Sequence, residues 1–258
     1  MGPVHDFWAD FRKSTYEAQP QAWTFGEVVE PPDSQLRFEG QLNGCLDFML
    51  LEAFRQTFGW GPWNARRFTD FLQRHEAYFS PEFSRPSFLD NHDMNRFLWI
   101  SGGDKRRLKL AALCQFALAG QPVIYYGTEV GLSQIRDVRQ DNFGIMEEAR
   151  LPMIWDENQD LNLHAFYKQL IRARLSQDSL CMGKRRILHA GADTLAMVSD
   201  QTPPGVTAVL NLSAEPRSVE LTGDWDHLLL VTDPECDLKT TPGKATVNLP
   251  PFGGAYLK

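Results

Sequence analysis

Over roughly the first 180 residues the apolar positions follow two alternating rhythms. Phe68, Phe71, Leu72, His75 and Phe79 fall at i, i+3, i+4, i+7 and i+11, the spacing of one helical face. Leu108, Ala111, Ala112, Phe116 and Ala119 make a second stripe, with Ser101 and Asp104 upstream as candidate N-caps and Gly120 as its stop. Leu163, Phe166, Tyr167, Leu170, Ile171 and Leu175 make a third, over about 162–175. An earlier helix is expected over 6–19, with Phe7, Trp8 and Phe11 on one face and Pro20 ending it. Between these stripes lie short apolar runs at 22–28, 45–50, 87–91 and 122–126, read as strands. The prolines after Glu30 and the polar stretch 133–149 read as loops.

Past about Met182 the texture changes. Short runs at 194–199, 206–212, 227–231, 245–249 and 255–257 are separated by Pro and Gly turns, which predicts a small all-β domain. The expected division is therefore 1–181 and 182–258. Four strands alternating with helices imply a parallel sheet with right-handed crossovers. Such sheets are normally covered on both faces, yet these helices can cover one. The other face and both edge strands are left open, and unpaired edges invite association.

Composition narrows the function. The chain has 258 residues, 43% hydrophobic and 23% charged, enough for a substantial core. A net charge of −7 argues against a nucleic-acid partner, which needs a basic face. Four scattered cysteines (Cys45, Cys114, Cys181, Cys236) form neither a zinc pattern nor a disulfide framework, so no metal is expected and a reducing, cytoplasmic setting is. No signal peptide is expected at the N-terminus. No apolar run approaches the ~18 residues of a membrane span. Aromatics reach 12% of residues, which fits core packing or sugar stacking; Trp60, Trp63 and Trp155 are candidates for either.

Two runs end in chemistry. Phe25-Gly-Glu27 closes on a carboxylic acid, and Ser87 to Arg96 closes on His92 and Asp93. Apolar runs tipped with polar groups are how barrel strands deliver catalytic side chains to a rim, and a pair of carboxylates is the raw material for glycosidic cleavage. Asp47, inside the second run, is either a structural hydrogen-bonding group or a substitute nucleophile. Asp90 is expected to point away from the site by strand alternation. Glu129 reads as rim packing.

Together Phe88-Leu-Asp-Asn-His-Asp93, Gln121 to Gly131 (QPVIYYGTEVG), Phe25-Gly-Glu27 and Leu151-Pro-Met-Ile-Trp155 resemble the α-amylase family of retaining glycoside hydrolases, with the flavour of cyclomaltodextrinases, neopullulanases and maltogenic amylases. The resemblance spans essentially the whole chain. It implies an α/β plus all-β fold: half of a (β/α)8 TIM barrel, strands five to eight with their helices, followed by a C-terminal antiparallel β-sandwich. It implies Glu27 as general acid/base, Asp93 as the carboxylate that stabilises the transition state, and His92 as a sugar ligand. Asn91, Arg96 and Tyr126 complete the candidate substrate contacts. No cofactor is implied. In this family the nucleophilic aspartate precedes the helix matching 6–19, and no aspartate in residues 1–5 takes that role. The expected substrate is an α-glucan or maltooligosaccharide. The site is expected to be completed by a homo-oligomer or a partner chain over the open sheet; the alternatives are a non-catalytic α-glucoside-binding or scaffold protein, or an inactive fragment.

Overall fold

The computed structural model describes residues 4–139, 146–182, 184–199 and 205–258; the side chains of residues 4–6 and 146 lie outside that description. It opens with α1 (Val4–Ala18), β1 (Phe25–Gly26), the short α2 (Pro32–Leu36), β2 (Gly44–Cys45) and α3 (Phe48–Phe54). A π-helical turn over Arg55–Gly59 leads to α4 (Ala65–Tyr78), followed by α5 (Phe97–Ile100) and α6 (Lys105–Ala117). A 3-10 turn at Thr128–Val130 precedes α7 (Leu161–Ser176) and α8 (Asp178–Cys181).

Four chain segments form a parallel ladder. Phe25 and Gly26 pair with Gly44 and Cys45. The Cys45 and Asp47 amides donate to the Ser84 and Pro86 carbonyls, at 3.1 and 3.0 Å, and Ser87 exchanges bonds with Gln121 and Val123. Gly44 permits this approach, because a Cβ there would collide with the Ser84 carbonyl. The Gln115 amide of α6 donates to the Ser87 carbonyl at 2.9 Å, pinning the third segment to its covering helix. Residues 23, 25, 27 and 29 are exposed while 22, 24, 26 and 28 are partly buried, so one face of the first segment is open.

The run 45–50 is not one strand, contrary to expectation. The strand ends at Cys45 and the ladder bonds at Asp47, which turns the chain by accepting the Leu50 amide at 2.9 Å as the N-cap of α3. An apolar run of this length does not distinguish strand from helix; the aspartate inside it does. The expected strands 87–91 and 122–126 likewise shrink to a bridge between Ser87 and Pro122. α4, α6 and α7 form where their stripes predicted, capped by Asn64, Asp104 and Asp160. The aromatic stripe of α1 is not buried: Phe7 is 63% and Phe11 41% exposed.

The C-terminal region comprises β3 (Arg185–Ala190), β4 (Thr194–Ser199), β5 (Thr207–Asn211), β6 (Arg217–Thr222), β7 (Leu228–Val231), β8 (Asp237–Thr241), β9 (Lys244–Leu249) and β10 (Gly254–Leu257). They form an antiparallel five-stranded sheet, β3-β4-β5-β10-β7, and a three-stranded sheet, β6-β9-β8. The larger sheet is buried on both sides, with alternate residues serving each. Ala196, Val209, Ala255 and Leu257 face a core shared with Val219 and Val247 of the smaller sheet. Leu195, Met197, Ala208, Leu210 and Tyr256 instead join the helical core of α3, α4, α6 and α7. The Tyr256 hydroxyl donates to the Leu113 carbonyl of α6 at 2.6 Å. Arg174 donates to the Phe116 and Leu118 carbonyls, at 2.7 and 3.0 Å, and Arg185 to that of Ala117, so two cations sit at the C-terminal end of α6 where its dipole favours them. Burial pulls the Arg185 guanidinium down to about 10.

Candidate active site

Glu27 follows β1 directly, and His92 and Asp93 follow the segment that bridges at Ser87. The second segment of the ladder, Gly44–Cys45, lies between them. Parallel register therefore brings residues 64 or more positions apart to one end of the sheet. One ligating atom each of Glu27, His92 and Asp93 lies within 4.8 Å of the others. The two carboxylates and the imidazole can thus share one bound sugar ring.

Short-range bonds fix this cluster. The Asn91 amide donates to Glu27 Oε1 at 3.4 Å, and its carbonyl oxygen accepts the Asp93 amide at 2.9 Å. Asn91 is buried, so it holds the Glu27 carboxylate and the Asp93 backbone from beneath. His92 Nε2 lies 3.4 Å from Asp93 Oδ2, with both side chains nearly half exposed. Arg150 was not singled out from the sequence, yet its guanidinium donates to Asp93 Oδ1 at 2.7 Å and to the His92 carbonyl at 3.0 Å. No local pattern marks it, because its partners lie 57 and 58 residues away.

Tyr126 is 39% exposed and donates its hydroxyl to the Leu151 carbonyl at 2.7 Å, anchoring the loop that carries Arg150. Arg96 differs from the expectation of a direct sugar contact. Its side chain is fully buried, donates to the Tyr126 carbonyl at 2.6 Å and stacks against the rings of Tyr125 and Tyr126. It acts on the rim through Tyr126. Beneath it Asp90 is also buried, accepting from the Phe97 amide and the Thr128 hydroxyl. Burial raises the Asp90 carboxyl above the usual carboxylate range, although Phe97, Arg96 and Thr128 oppose the shift. Gly127, at φ 84°, makes the turn that carries Thr128 to Asp90.

Asp47 is closed to chemistry. It is 1% exposed, and its oxygens are taken by the Leu50 amide, by His75 at 3.0 Å and by Arg85 at 2.9 Å. That settles its open reading in favour of structure. Among the described residues, Glu27, His92 and Asp93 form the one group of three acidic or imidazole side chains close enough to share a cation. The Arg150 charge already bound to Asp93 opposes a second positive charge there.

Residues 2–163 match the family model described as the α-amylase catalytic domain. The chain is 34% identical over 228 residues to "Alpha-amylase 2" of Dictyoglomus thermophilum, covering 88% of this chain and 40% of that protein. It is 31% identical to "Neopullulanase 2" of Thermoactinomyces vulgaris, covering 98% of this chain and 43% of the relative. A solved cyclomaltodextrinase superposes with a TM-score of 0.84 at 26% identity, over 99% of this chain and 43% of its own. The chain spans less than half the length of the curated relatives it matches.

Proposed function

This chain belongs to the α-amylase family, and from that premise we propose that its rim supplies the acid-bearing part of a retaining site that hydrolyses α-glucosidic bonds in maltooligosaccharides or related α-glucans. The observation that carries this reading is the convergence of Glu27, His92 and Asp93 within 4.8 Å. Glu27 is the general acid that protonates the leaving oxygen, then the base that activates water. Asp93 stabilises the positive charge that develops on the sugar ring and binds ring hydroxyls. His92 donates to a hydroxyl of the same sugar. Asn91 and Tyr126 hold the rim in shape, with Arg96 as a positioning residue behind Tyr126.

The four-segment ladder corresponds in this reading to strands five to eight of a (β/α)8 barrel, with 1–181 as the catalytic-type unit and 182–258 as the β-sandwich. Retaining cleavage also requires a nucleophilic carboxylate about 5–5.5 Å from the acid. Among the described residues Asp93 is the one carboxylate clustered with Glu27, and it holds the stabilising role. The nucleophile is therefore assigned to polypeptide outside this cluster that packs over the open face of the ladder, whether from the same protein, a second copy or a partner chain. The exposed Phe25 (45%) and Val123 (37%), on the first and last segments, give that face an apolar surface to bury. No helix is long and apolar enough to cross a membrane among the described residues. Four free thiols suit a reducing cytoplasm.

Turnover of maltooligosaccharides or p-nitrophenyl α-glucosides tests the assignment. Glu27→Gln is expected to lower it by about 10²–10⁴-fold, the usual worth of a general acid. Unchanged turnover in that variant would overturn the role of Glu27. Sedimentation as a well-behaved monomer at micromolar concentration would contradict completion by a second copy.

A further inference from the structure

A ligand-sized groove along α4 shares no lining residue with the rim. Its origin is a mismatch of connection lengths. The crossover from β1 to β2 carries the five-residue α2, whereas the next crossover carries the 14-residue α4. So short a helix leaves the flank of α4 uncovered, and a groove of about 420 Å³ runs along it, bounded by Pro32 and Met49 on the far side. That volume falls among small-ligand sites, which span about 300–1,000 Å³.

The groove wall is aromatic, formed by Trp63, Phe71, Tyr78 and Phe79. Trp63 and Phe71 have ring centroids 5.8 Å apart, and Tyr78 is 45% exposed. Arg67, Asp70 and Arg74 stand along the same wall at i, i+3 and i+7, one face of α4. Among the described residues, none of these three side chains has an ion-pair or hydrogen-bonding partner. The Arg67 guanidinium lies 4.5 Å over the Trp63 ring, which fixes its plane and leaves its N–H edges free to donate.

This mixture selects a ligand class. An anion would meet Asp70 midway between the two arginines. A purely apolar ligand would strip water from three polar groups and return no hydrogen bonds. A polyhydroxyl ring answers both demands: its hydroxyls accept from Arg67 and Arg74 and donate to Asp70, while its C–H face lies on the aromatic wall. We propose that the α4 groove is a second, non-catalytic binding site for a segment of an α-glucan chain. The identity of the sugar rests on the substrate class proposed above; the preference for a neutral polyol rests on the groove itself. A glucan held here is retained by the molecule without touching Glu27 or Asp93.

Calorimetric titration of the full chain with maltoheptaose tests the proposal, using a Glu27→Ala/Asp93→Ala background that disables the rim. Binding is expected to persist in that background, and Asp70→Ala or Arg74→Ala added to it should each weaken binding about tenfold, the loss of one or two hydrogen bonds. Both substitutions sit at exposed positions on α4, so thermal melts should match the parent and exclude misfolding. Trp63→Ala should weaken binding further. Absence of binding in the rim-disabled background, or affinity unchanged by the groove substitutions, would overturn the second site. Loss of all binding with the rim variants alone would spare the proposed function and sink this inference. Groove-dependent binding together with turnover indifferent to Glu27 would do the reverse.

Discussion

Among the described residues two histidine–aspartate pairs are each flanked by an arginine, and their main difference is burial. His75 and Asp47 lie 3.0 Å apart with 6% and 1% of their side chains exposed, and Arg85 sits 2.9 Å from the same carboxylate. His92 and Asp93 lie 3.4 Å apart with 46% and 48% exposed, and Arg150 sits at 2.7 Å. In the buried set both Asp47 oxygens are committed to fixed partners, one of them the cap of α3. Water cannot replace a lost partner there, so the group is locked. In the exposed set one Asp93 oxygen faces Arg150 and the other faces His92. A sugar hydroxyl can exchange with water at that position at small cost. The same three residue types make scaffold in one place and a site in the other.

The largest expected effect comes from breaking the buried set. Asp47→Ala strands Arg85 and His75 and removes a helix cap, so urea denaturation should show a loss of about 3–5 kcal/mol. A loss below about 1 kcal/mol, the level of an exposed pair, would erase the contrast. Next comes the bond between Tyr256 and Leu113, which is buried but uncharged. Tyr256→Phe should cost about 0.5–1.5 kcal/mol, the net worth of one buried hydrogen bond, because the Leu113 carbonyl keeps its helical partner and loses its second donor. Equality with wild type would mean that water satisfies that carbonyl.

Asp104 lies between the extremes. It caps α6, and its carboxylate, 22% exposed, bonds Arg106 at 2.7 Å. Asp104→Ala should cost about 1 kcal/mol at neutral pH. The bond to Arg106 holds the Asp104 carboxyl below its ordinary value. Its contribution is therefore complete above the unfolded-state pKa, near 3.9, and drains as pH falls through the lower folded-state value. Melting of wild type and variant should converge in strong acid; a gap that widens there would reverse the assigned sign. The smallest effect belongs to the rim, where Asp93→Ala should change stability by no more than about 1 kcal/mol while weakening sugar binding. A loss as large as that of Asp47→Ala would make the rim pair structural too.

Much of this layout was legible before any coordinates. α4, α6 and α7 bury a stripe at helical spacing, and that stripe is visible in the residues themselves. β4, β5 and β10 read as apolar runs because both faces of their sheet are covered. β8, Asp237–Thr241, escaped notice because four of its five residues are exposed. β3 and β6 carry arginines and alternate too weakly to stand out beside the buried strands. Glu27, His92 and Asp93 were recognisable because each tips an apolar run. Their convergence depends on the register of the Gly44–Cys45 segment between them, and the sequence hides that register. Arg150 was invisible for the same reason, its partners being distant in the chain. Arg96 misled because a guanidinium near a site suggests a ligand contact, whereas two tyrosine rings and a carbonyl hold it inside.

Imidazole signals recorded by NMR while maltotriose is titrated into the chain test the central claim most directly, with His92→Gln supplying the assignment. In a Trp63→Ala/Arg74→Ala background that disables the α4 groove, which His75 also lines, the His92 resonances are predicted to shift with increasing sugar while those of His75, held against Asp47 and Arg85, stay in place. Unmoved His92 signals at saturating sugar, or equal movement of both rings, would contradict the account.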